Sequence, residues 1–165
     1  MSFYVKNMRY LLSILLFMVG FGLHAQEIFP EGCVPFVVEN DLVTLSTEKP
    51  AIVMMHNLST MDVWITHTVQ KTGAGAGWSS RVQAGNWSAL VLRSKAFKLS
   101  CIESRPGHEQ QIPCSGVLAV CKWPNVSIPE KMSGTFWAGE DMSLSPLKAY
   151  IERRGFVLSA PIETQ

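Results

Sequence analysis

Ala96-Phe97-Lys98-Leu99-Ser100-Cys101-Ile102 decides the fold. Phe97, Leu99 and Cys101 alternate with Lys98 and Ser100, the period of a strand with one buried face. Working outward, short apolar and β-branched runs recur between turn signals. Residues 34–38 precede Glu39-Asn40-Asp41, residues 42–45 precede Glu48-Lys49-Pro50, and residues 51–56 meet Asn57-Leu58-Ser59-Thr60. Residues 61–69, 79–83, 87–93, 117–121 and 135–137 complete the set. Many short strands at this spacing predict an all-β fold, a disulfide-stabilised β-sandwich.

One short C-terminal α-helix interrupts the pattern. Ser145 suits the cap and Pro146 the first helical position. Leu147, Tyr150 and Ile151 then fall on one face, Arg153 and Arg154 suit the last turn, and Gly155 stops the helix. Residues 156–158 read as a last strand or as a tail packed on the core.

The chain has 165 residues, 47% apolar and 16% charged, a balance that excludes a disordered polyampholyte or a coiled coil. Its formal net charge of +1 gives no basic field for nucleic acid. Residues 1–25 read as a secretory signal peptide. Lys6 and Arg9 precede an apolar run over residues 11–23, and Leu23-His24-Ala25 offers a small residue at the cut. The run is too short for a transmembrane helix, which needs roughly 20 residues. Cleavage after Ala25 leaves residues 26–165 as a single β-sandwich-like domain. The 14 basic residues less Lys6 and Arg9 leave 12 against 13 acidic ones, a net of −1.

All four cysteines lie in the mature part, so export makes disulfides the default. Sequence permits three pairings. An antiparallel hairpin would bring Cys101 to Cys114, leaving Cys33 for Cys121 by subtraction. No Cys-x-x-Cys pair exists, which argues against zinc or thiol chemistry.

Between Cys101 and Cys114 runs Ile102-Glu103-Ser104-Arg105-Pro106-Gly107-His108-Glu109-Gln110-Gln111-Ile112-Pro113, polar and holding a Pro-Gly turn. Clamped at both ends, such a loop loses little entropy on binding. Glu103, Arg105, His108 and Glu109 are the candidate partner contacts; the plainer reading is a solvated loop. Met54, His56, Met61 and His67 are candidate copper ligands, although neighbouring methionines on apolar strands usually fill cores. Gly73-Ala74-Gly75-Ala76-Gly77 lacks phosphate-loop spacing and reads as an inter-strand loop. No Gly-x-Ser-x-Gly elbow occurs, and adjacent Glu140 and Asp141 do not converge as an acid/base pair. Five tryptophans could form a sugar platform but more often pack a core. Asn57, Asn86 and Asn125 head glycosylation sequons, relevant only in a eukaryotic pathway.

The block from Cys101 to Cys114, continuing to Val120-Cys121-Lys122-Trp123, resembles the enhanced-entry protein EnhB family of Legionella and relatives. Val63-Trp64-Ile65-Thr66-His67, Ala76-Gly77-Trp78-Ser79 and Gly85-Asn86-Trp87-Ser88-Ala89-Leu90 are similar as well. The resemblance implies a small exported bacterial protein of the periplasm or cell surface, associated with host-cell entry and virulence. It brings no catalytic residues. The expectation is a non-enzymatic binding or structural module without a cofactor, meeting a protein partner in the envelope or on the host cell. The alternative is a periplasmic copper-binding protein.

Overall fold

The computed structural model describes residues 29–38, 41–67, 78–93, 96–123, 126–129 and 134–158. The described residues from Glu31 onward belong to one compact unit. The expected signal peptide and the 73–77 glycine loop lie outside the described residues. Among those residues no helix is long and apolar enough to cross a membrane.

Two antiparallel sheets form the body. The first orders its strands β1 (Val34–Phe36), β9 (Leu118–Trp123), β3 (Ala51–Asn57), β6 (Trp87–Leu92) and β11 (Phe136–Met142). The second orders β2 (Leu42–Ser46), β7 (Ala96–Glu103), β4 (Val63–His67) and β5 (Trp78–Val82), with β8 (Gln111–Ile112) also on β7. The strand Val126–Ser127 (β10) pairs with Val157–Leu158 (β12) in a small third sheet.

Sequence pattern follows layer. In β2, Val43 and Leu45 are buried between exposed neighbours, as expected where one face meets water. In β3 and β6 nearly every residue is buried, because the first sheet is covered on both faces. Between the sheets, Val53, Met55, Leu90 and Val120 pack with Val43, Leu45, Ile65 and Leu99 in one apolar cluster. The opposite face of the first sheet carries Ile52, Met54, Val91, Cys121 and Trp123, all buried.

The helix α1 (Leu144–Arg153) helps cover that outer face. It begins earlier than the sequence reading: Ser143, not Ser145, is its first flanking residue, and Pro146 sits third. Proline fits there because the first four helical N–H groups have no partner inside the helix. Leu147 and Ile151 are buried as expected. At the far end the Gly155 N–H donates to the Glu152 carbonyl and the Phe156 N–H to that of Ile151. Gly155 adopts φ +87°, the left-handed turn that lets the chain leave. Gly139 lets α1 approach β11: a Cβ there would lie 2.5 Å from Leu147 Cδ1 and 3.1 Å from Tyr150 Cδ1.

Candidate functional site

β7 continues past its pairing with β2 into a hairpin with β8, in which Cys101 faces Ile112 and Ile102 faces Gln111. A disulfide joins Cys101 to Cys114, with Cα atoms 5.3 Å apart and both residues fully buried. A second joins Cys33 to Cys121, tying the start of β1 to β9. Two disulfides fit an oxidising, exported environment.

Above the first disulfide the loop is fixed by backbone hydrogen bonds, within itself and to the β3–β4 turn. The Glu103 N–H donates to the Gln110 carbonyl at 2.9 Å, and the Ser104 N–H to that of Asp62 at 3.0 Å. Arg105-Pro106-Gly107-His108 forms a β-turn, with the His108 N–H on the Arg105 carbonyl at 2.9 Å. Proline presets φ at its second position, and Gly107 supplies φ +76° at its third.

Glu103 corrects the sequence reading. It is only 3% exposed, so it is the base of the loop and not a partner contact. Its carboxylate pairs with the Arg105 guanidinium and receives the Gln110 amide at 3.4 Å. Arg105 above all, and then Gln110, hold this carboxyl below the usual glutamate range, although burial opposes them. Alternation along β7 explains the placement, since Cys101 and Glu103 share the inward face.

Arg105, His108, Glu109 and Gln110 line an open depression of about 280 Å³. The Arg105 side chain is 61% exposed even while paired, and His108 and Glu109 are exposed. The tip therefore offers cationic, anionic and amide groups within one short loop. That set suits polar recognition. Sequence reasoning missed Gln110, whose amide braces Glu103 from within the polar run.

The metal candidates lie on three segments, with only Met54 and His56 on the same strand and face, that of β3. Met54 is fully buried on the outer face of the first sheet, and Met61 lies in the β3–β4 turn. His67 belongs to the second sheet, stacked on Phe97 at 4.0 Å with Nδ1 2.8 Å from the Lys98 carbonyl. His56 stacks on Trp87 at 4.2 Å, and its Nε2 lies 3.1 Å from the Gly85 carbonyl. Burial lowers the His56 pKa more than that backbone contact raises it, so the neutral ring is favoured. Among the described residues no group of three His, Cys, Asp or Glu side chains could hold a metal.

Other candidate groups serve structure. Asn57 is fully buried, its amide donating to the Met61 and Val82 carbonyls at 2.7 and 2.9 Å. Asp141, at φ +46° in an irregular stretch of β11, accepts from the Gln83 N–H and the Asn86 amide. Trp87 and Trp123 are buried, which removes them from any sugar platform.

Fold and site together define a disulfide-stapled, β-sandwich-like protein that presents one braced polar hairpin. Compared with protein-family models, characterised proteins and solved structures, the chain shows no match.

Proposed function

We propose that this chain is an exported, non-enzymatic binding module of a bacterial envelope, associated with host-cell entry. Its partner is a protein in the envelope or on the host cell, and the tip of the β7–β8 hairpin makes the contact. The observation that carries the reading is the contrast within one loop. Its base is locked by a buried disulfide and the buried Glu103, while Arg105, His108 and Glu109 face outward. Little conformational entropy is then left to lose on binding. The similarity of the Cys101–Cys114 block to the EnhB family supports the biological setting, periplasm or cell surface.

The test is binding of labelled, purified protein to host cells and to isolated bacterial envelopes. Replacing Arg105, His108 and Glu109 together with alanine should weaken binding by about tenfold or more. The fold should survive with a modest fall in the thermal midpoint, because His108 and Glu109 are exposed and only the loss of Arg105 touches a buried group, the Glu103 carboxylate. Undiminished binding by the triple variant, or no binding to either surface by the native protein, contradicts the proposal.

A further inference from the structure

The four lateral edges of the two large sheets are not equally protected. An edge strand presents unpaired N–H and C=O groups, and proteins blunt it with charge, proline, bulges, short length or a cover. β1 has three residues, one of them Pro35. β11 is interrupted twice in its register and carries Glu140 and Asp141. β5 carries Arg81, paired with Asp62, and lies against β11 of the other sheet. β2 has none of these devices. Leu42-Val43-Thr44-Leu45-Ser46 is uncharged, lacks proline, and pairs with β7 without a break over five residues. Among the described residues no strand occupies its outer edge.

Val34, Val37 and Leu42 are 45%, 74% and 42% exposed, three of the six exposed large apolar side chains among the described residues. All three lie on β1, β2 or the segment between them.

We propose that the free edge of β2 pairs antiparallel with β2 of a second copy, about a two-fold axis at Thr44. The strand's own sequence argues for that occupant. Its two buried apolar residues sit symmetrically about Thr44, so this register sets Val43 opposite Leu45 of the second copy, twice. Both belong to the buried face, so the apolar layer continues across the junction. Leu42 meets Ser46 and Asp41 meets Thr47, so no like charges face each other from residue 41 to 47. Roughly four to six backbone hydrogen bonds form. Such a contact is small, so association is weak and concentration-dependent. The Glu103 end of β7 lies beyond the Leu42 end of β2, so the two hairpins project from opposite ends of the joined sheet. The pairing does not depend on what the hairpin binds.

Sedimentation of the mature protein up to about 1 mM, the range a small interface requires, reads the equilibrium. Thr44→Glu and Thr44→Lys each place like charges at the axis, on an exposed position that leaves the fold intact. Each variant alone should dissociate about fivefold more readily than the native dimer, and an equimolar mixture should recover association. A native protein that stays monomeric throughout overturns the proposal and leaves the edge to a strand of another protein. A dimer indifferent to both substitutions also overturns it and assigns association to a different surface.

Discussion

The two disulfides close loops of very different size and do different work. Cys33–Cys121 spans 88 positions and ties the start of the edge strand β1 to its neighbour β9. Cys101–Cys114 spans 13 and closes one hairpin. In the chain-entropy model the long closure contributes about 4.6 kcal/mol and the short one about 3 kcal/mol. The long staple thus serves the whole fold. The short one adds less stability but fixes the base of the loop that carries the candidate contacts. Stability and presentation are separable here.

Breaking each staple exposes that division. Cys33→Ser with Cys121→Ser should lower the unfolding free energy by about 4.6 kcal/mol, measured in denaturant. Cys101→Ser with Cys114→Ser should cost about 3 kcal/mol and speed amide exchange at Glu103 and Ser104, the hairpin's backbone donors.

Subtler changes sharpen the comparison. Glu103→Gln removes the anion beneath Arg105 and should weaken tip binding by roughly two- to fivefold, the range of an ion pair with one exposed member. Acid should act at the same point. The Glu103 pKa is lowered, so its contribution is present above the ordinary value of 4.5 and is lost as pH falls through the lower folded value. Hairpin amide exchange followed through that window checks it.

The smallest effect lies outside the hairpin. His56 is held below its ordinary 6.5, so the unfolded chain binds its proton first and stability declines as pH drops below 6.5 toward the folded value. His56→Phe keeps a ring on Trp87 and should remove that part of the pH dependence of unfolding.

Much of the fold was legible because its strands have a period. Alternation marked β7, and short apolar runs between turn signals marked β2, β3 and β6; that β3 and β6 are buried on both faces emerged only from the layers that cover them. β8 and β10 have two residues each, too few to show any period. The helix start was misplaced because serine stands at both 143 and 145, and proline is tolerated throughout the first turn. The site was legible as a stretch framed by cysteines. The inward turn of Glu103 was not, because a glutamate opening a polar run reads as solvated. Only the strand's extension past Cys101 puts it on the buried face. The role of Asn57 was hidden likewise, since its partners Met61 and Val82 lie on separate segments.

The most direct test compares tip binding by the two disulfide-opened variants at a temperature where both remain folded. The account predicts that opening Cys33–Cys121 leaves the binding curve unchanged, while opening Cys101–Cys114 weakens it by about tenfold as the loop regains its freedom. Equal loss in both variants, or full binding with the hairpin staple open, would contradict it.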